Sequence, residues 1–176
     1  MVDPIDGTQP FISGLSCWCV SIAYMQGGVL QFGMVFAPER DELFAGGKGF
    51  AATLNGKPMK AHAAQKLSEG LCGVGYSPRV LSGGFLPMFE RFLQAGGVFS
   101  REGSGALALC HVAAGRLIGY FEPHLNAWDC LGAIAVIEAA GLKCSDFLAG
   151  DGLRSGNPLI AGNVAVFAEL DAIKGW

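Results

Sequence analysis

Asp3-Pro4-Ile5-Asp6-Gly7-Thr8 stands almost at the start of the chain. The stretch that follows it, Ser16-Cys17-Trp18-Cys19-Val20-Ser21-Ile22-Ala23-Tyr24, decides the architecture. Trp18, Val20, Ile22 and Tyr24 alternate with small residues, the period-two pattern of a strand. Gln26-Gly27-Gly28 is a turn, and residues 29–36 read as the return strand. Residues 42–45 and 50–54 predict two more strands joined by Gly46-Gly47-Lys48-Gly49, and Asn55-Gly56 signals another tight turn. Residues 1–60 therefore predict an antiparallel meander.

From residue 61 to 176 the pattern changes. Residues 71–75 read as a short strand. Phe85, Leu86, Phe89, Phe92 and Leu93 mark one face of a helix that Gly96-Gly97 ends. A strand at 98–100, a helix at 106–114, a strand at 117–121 and an apolar helix at 130–140 follow, the last flanked by Asp129 and Gly141 as cap residues. A strand at 143–147, a polar loop at 151–158, a strand at 159–161 and a helix at 164–173 complete the chain. Strands alternating with helices indicate a layered α/β half, so the whole reads as one α/β domain over residues 1–176.

Composition limits the function. The 176 residues are 51% hydrophobic and 15% charged, which excludes intrinsic disorder. A net charge of -3 with scattered Lys and Arg argues against nucleic acid as a partner. Mean hydropathy is +0.40, yet a spanning helix needs about 20 apolar residues in a row. The best run, residues 130–142, is shorter and contains Glu138, so no membrane partner is expected. No signal-peptide pattern stands at the N-terminus. Six cysteines without a CxxC pair read as buried reduced thiols, and the expected compartment is cytoplasmic.

Three segments carry residues suited to chemistry. Asp3 and Asp6, with Pro4 bending the chain between them, offer two carboxylates and a carbonyl, hard oxygen ligands suited to Mg²⁺ rather than zinc. Gly7 and Thr8 stand where a helical turn could begin and present N–H groups to a phosphate. The competing reading is an ordinary Asp-Pro turn followed by a cap. Asp129 is either a plain helix N-cap or a carboxylate that ligates metal while the helix start orients it. Glu122 reads as a strand-end charge, and Ser104, between Gly103 and Gly105, as a cap. His62, His111 and His124 show no metal-ligand spacing, and no GxSxG, HExxH or GxxxxGK[ST] is present.

Asp3 to Thr8, taken with Trp128-Asp129 and the small, apolar residues after it, resembles the Mg²⁺-dependent, lithium-sensitive inositol monophosphatase superfamily. The first element matches its DPIDGT motif, and the later element is similar to WDxxA[GA], with Gly132-Ala133 in reversed order. Glu39-Arg40-Asp41-Glu42-Leu43-Phe44, Leu54-Asn55-Gly56, Gly103-Ser104-Gly105 and Ala113-Ala114-Gly115-Arg116-Leu117 fit between them in order. The resemblance implies an α-β-α-β layered sugar-phosphatase fold. It implies that Asp3, the Ile5 carbonyl, Asp6 and Asp129 ligate two or three Mg²⁺ ions. Gly7 and Thr8 correspond to the phosphate-binding turn, and the Thr8 hydroxyl to the group orienting the attacking water. Asp6 and Thr8 are thus the catalytic positions. Glu122 corresponds to a residue holding a substrate hydroxyl, and Ser104 and Gly105 to a substrate-contacting helix start. Asp129 borders the substrate as well as the metal.

The family also carries an N-terminal segment with a Glu ligand in a Gly-Glu-Glu motif, and nothing before Met1 corresponds to it. The reading is of an N-terminally truncated domain that binds Mg²⁺ weakly and turns over slowly or not at all by itself. Its exposed apolar sheet would favour a homodimer. The implied substrate is a small phosphate monoester. Phe11-Ile12-Ser13-Gly14 leans toward the histidinol-phosphate branch, leaving inositol phosphate and histidinol phosphate level. The alternative is a catalytically weak remnant serving as an interaction or regulatory protein.

Overall fold

A computed structural model describes residues 1–78 and 84–175 of the protein. Its first third is the expected meander. Strands β1 (Val2–Asp6), β2 (Cys19–Gln26), β3 (Val29–Ala37), β4 (Glu42–Gly47), β5 (Phe50–Leu54) and β6 (Lys57–Pro58) form one antiparallel sheet in sequence order. A short helix, α1 (Thr8–Ile12), fills the connection from β1 to β2. Strand β2 begins later than the alternation suggests, because pairing with β1 starts where Cys19 meets Asp6.

The register sorts the side chains of this sheet onto two unequal faces. Val2 pairs with Ile22 and Ile22 with Met34, while Val20 pairs with Phe36 and Phe36 with Leu43. Tyr24 pairs with Phe32 across the same face. Ile22, Tyr24, Phe36 and Leu43 remain exposed there. The small residues Cys19, Ser21 and Ala23 occupy the other face and are buried. Small side chains face the core because a helix lies directly on them. That helix is α4 (Ala127–Ala139), and a Cβ on Gly33 would come within 1.9 Å of the Gly132 carbonyl oxygen. Backbone meets backbone here, which only glycine on both sides allows.

The rest of the chain contains β7 (Leu71–Val74), α2 (Phe85–Gln94), β8 (Val98–Ser100), α3 (Gly105–Ala113) and β9 (Gly119–Leu125). After α4 come β10 (Lys143–Cys144), α5 (Gly152–Ser155), β11 (Asn157–Gly162) and α6 (Val164–Ile173). The second sheet runs β10-β11-β9-β7-β8, with β7 parallel to β8 and β9 and the other pairs antiparallel. Helices α3 and α4 lie between the two sheets, and α2 and α6 cover the outer side of the second. The layers are therefore sheet, helices, sheet, helices. Among the described residues no helix covers the open face of the first sheet.

Sandwiching explains why α4 is apolar nearly all round: from Cys130 to Ile137 every residue is buried. A separate cluster on the far side of the second sheet holds Met88, Phe92, Phe121, Ile160, Val166 and Leu170. Burying a side chain such as Phe92 contributes on the order of 1.5–3 kcal/mol. The inward face of α2 is thus formed by Met88 and Phe92, with Phe85 and Phe89 packed partly against the cluster. Leu86 and Leu93, expected on that face, point to solvent.

Other boundaries differ from expectation for local reasons. Strand β9 runs on past Phe121 to Leu125 because β11 pairs along it, so Glu122 lies within a strand rather than at its end. Strand β10 stops at Cys144, and the polar loop at 151–158 contains the short helix α5 and the first residues of β11. All six cysteines are free thiols, four of them buried. No described helix is long and apolar enough to cross a membrane.

Candidate metal and phosphate site

Two carboxylates reach the site from the first sheet. Asp3 lies on β1 and its Oδ1 accepts the Ile5 N–H at 2.9 Å, an Asx-type turn that tightens the strand. Asp6 ends β1 and is 7% exposed. Gly7 follows with φ of 87°, and a Cβ there would meet the Cys17 carbonyl oxygen at 2.7 Å, so the sharp exit from β1 requires glycine. Thr8 starts α1, and its hydroxyl donates to the Ile5 carbonyl at 3.0 Å. The same carbonyl keeps a lone pair for a cation.

The third carboxylate comes from α4. Asn126 is the N-cap and Asp129 the third residue of the helix, so Asp129 belongs to a capping box instead of being the cap itself. Its Oδ2 accepts from the Asn126 N–H and from Asn126 Nδ2, both at 3.0 Å. Asp3, Asp6 and Asp129 each bring a ligand oxygen to one place, all within 4.8 Å of one another. Three carboxylate oxygens beside a peptide carbonyl form an all-oxygen donor set of the hard type that Mg²⁺ prefers. A cation bound among them would offset the charge that Asp129 and Asp3 impose on Asp6. Burial raises the Asp6 carboxyl to about 7, and the neighbouring Asp129 and Asp3 push in the same direction. Hydrogen bonds from Ser104 and the Ala106 N–H oppose that rise.

A pocket of about 450 Å³ opens in front of the cluster. Gly7, Thr8, Ser104, Gly105, Glu122 and the three aspartates all line it, together with Tyr120, Arg101 and Trp128. The structure thus gathers every position singled out from the sequence into one cavity. Glu122 is 7% exposed and receives a short hydrogen bond from the Tyr120 hydroxyl. Burial raises its carboxyl to about 7; the Tyr120 bond and Arg101 pull it down, while Asp6 and Asp129 push it up. Nothing in the motifs points to Tyr120, although it stands two residues before Glu122 on one strand and so shares its face. Arg101 is equally silent in the sequence; its Nη2 donates to the Tyr76 carbonyl at 3.3 Å, a contact between loops that no periodicity announces.

Ser104 is a cap, as its neighbours suggest: its Oγ accepts from the Leu107 N–H at 3.1 Å. It is also fully buried against Asp6, to which its hydroxyl donates. The histidines take structural places. His62 Nδ1 accepts from the Ala64 N–H at 3.0 Å, and His124 Nε2 lies 2.9 Å from the Ser155 carbonyl. His111 Nδ1 is 3.0 Å from Glu102 and its Nε2 is 3.4 Å from Arg40. Burial works against ionisation of Glu102, yet the hydrogen bond with His111 and the charge of Arg40 hold its carboxyl below the usual range.

Known proteins share both the sequence pattern and the architecture. The Nus factor SuhB of Haemophilus influenzae is 37% identical over 179 residues, covering 99% of this chain and 66% of that protein. An inositol-1-monophosphatase of Mesorhizobium japonicum is 33% identical over 177 residues, with the same two coverages of 99% and 66%. The crystal structure of the extragenic suppressor protein suhB from Bartonella henselae superposes with a TM-score of 0.88 at 31% identity, covering 98% of this chain and 70% of that one. The inositol monophosphatase from Anabaena superposes equally well, with a TM-score of 0.88 and coverages of 98% and 69%. The chain spans about two thirds of the length of the curated relatives it matches. The model of the inositol monophosphatase family matches residues 1–173, and the chain belongs to that family.

Proposed function

We propose that this site hydrolyses a small phosphate monoester, an inositol monophosphate or histidinol phosphate, with Mg²⁺ as cofactor. The convergence of Asp3, Asp6 and Asp129 within 4.8 Å of one another carries this reading. Asp3, Asp6, Asp129 and the Ile5 carbonyl would hold the metal, which supplies an activated water and Lewis-acid stabilisation of the leaving oxygen. The backbone at Gly7 and Thr8 would hold the phosphate, where positive charge density opposes the charge that develops at phosphorus. Glu122, held by Tyr120, would accept a hydrogen bond from a hydroxyl of the alcohol portion, and the pocket volume suits a ligand of that size. Six free thiols, four of them buried, fit a reducing cytoplasm.

The test is phosphate release from inositol 1-phosphate and from histidinol phosphate, with Mg²⁺ and with EDTA, in the wild type and in Asp129→Asn. We expect Mg²⁺-dependent release that EDTA and the substitution abolish. Release that persists in EDTA, or an Asp129→Asn variant equal to the wild type, would overturn the mechanism. Several relatives carry the name Nus factor SuhB, which favours an alternative reading of a protein that acts by binding a partner. Absence of turnover on either ester, together with intact cation binding, would favour that reading.

A further inference from the structure

Asp6 is held in an unusual way for a residue in a cation cluster. Its Oδ2 receives the Ser104 hydroxyl at 2.5 Å and the Ala106 N–H at 2.9 Å, and the Cys19 thiol lies 3.8 Å away. Every hydrogen bond seen on the Asp6 carboxylate among the described residues falls on this one oxygen. One donor, Ser104, caps α3 and another, the Ala106 N–H, belongs to its first turn, so the carboxylate also sits at the positive end of that helix. Ser104 has a single proton. Its oxygen accepts from Leu107 N–H at 3.1 Å, which directs the proton away from the helix and toward Asp6. Gly7 packs against Ser104, since a Cβ at Gly7 would lie 3.1 Å from the Ser104 Cβ. The hydroxyl is enclosed between the turn that leaves β1 and the start of α3.

We propose that Ser104 is a positioning residue: by fixing Asp6 Oδ2 to the start of α3, it leaves Oδ1 as the oxygen directed at the cation. This inference rests on the cation reading of the aspartate cluster. It assigns Ser104 no contact with substrate, because its proton is already engaged. Any donor that the start of α3 offers a substrate then comes from its backbone, Gly105 N–H included, not from the Ser104 hydroxyl. Partners of this outer kind change metal affinity by about 10–100-fold when removed.

Terbium titration tests the proposal. Tb³⁺ is taken by carboxylate sites, and Trp128, which lines the pocket, sensitises its emission. Affinities for Tb³⁺, and for Mg²⁺ by competition, are measured for the wild type, Ser104→Ala and Ser104→Gly, with thermal unfolding followed in parallel. Glycine is a tolerated N-cap and alanine a poor one, so the two variants differ in helix stability but lack the same donor. We expect both to lose affinity by about tenfold and to the same degree, whatever their unfolding midpoints. Wild-type affinity in either variant would overturn the proposal. So would losses that rank with stability, Ala worse than Gly, as a cap alone would produce. A wild type that takes no Tb³⁺ would overturn the cation reading as well, and that result separates the two failures.

Discussion

Glu122 is the residue whose protonation the fold most plainly shapes outside the aspartate cluster. Burial raises its carboxyl from 4.5 to about 7. Between those values the folded protein binds a proton that the unfolded chain has released, so stability falls as pH rises through this window. The slope from one such group approaches about 1.4 kcal/mol per pH unit. Asp6, also raised to about 7, adds a like slope. In metal-free buffer, urea midpoints measured from pH 4.5 to 7 should therefore decline, and Glu122→Gln should make the decline shallower without removing it. A wild type and variant with parallel profiles would contradict the assignment. The sequence shows this carboxylate and its three aspartate neighbours by residue type and motif. It does not show that Glu122 lies inside a strand with Tyr120 bonded to it, because the length of β9 is set by pairing with β11 and not by its own composition.

At the scale of elements, α4 shows which local signals survive in three dimensions. Its apolar run is legible, yet its start lies three residues ahead of the expected one, with Asn126 as cap and Asp129 in the first turn. The difference arises because Asp serves equally well at both positions of a capping box. Asn126→Ala removes one side of that box and should cost about 1 kcal/mol of stability by denaturant titration. It should also loosen Asp129, whose Oδ2 it holds, and weaken Tb³⁺ binding. In α2 the difference is one of direction. Periodicity places all five large apolar residues on one face, but only the set centred on Met88 and Phe92 turns inward. Phe92→Ala should destabilise the protein by about 3–5 kcal/mol, whereas Leu86→Ala should stay within about 0.5 kcal/mol.

At the scale of the whole molecule, the first sheet presents one covered face and one open face. The open face carries Val2, Ile22, Tyr24, Phe36 and Leu43, with no charged residue in the paired rows that hold them. Neutral apolar surface of this kind favours association. Light scattering at increasing concentration should show a dimer, and Ile22→Lys with Phe36→Glu should return it to a monomer. A wild type that stays monomeric would exclude association through this surface. The alternation of large and small residues in the sequence announces two faces. It cannot say that the small residues are the buried ones, since that depends on the close approach of α4.

The contact between Gly33 and Gly132 reaches further than packing. A Cβ at Gly132 would also come within 2.7 Å of Ser21 Oγ, and Ser21 is the β2 partner of Asp3. Asp129 stands one helical turn earlier on the same helix. One bank of the acidic cluster is thus fixed to the sheet and the other to the helix, and sheet and helix meet where Gly33 and Gly132 bring their backbones together. Adding a single methyl at position 132 would act as a wedge, widening the gap between the banks. Ion capture would then report the width of a joint that contains no ligand at all.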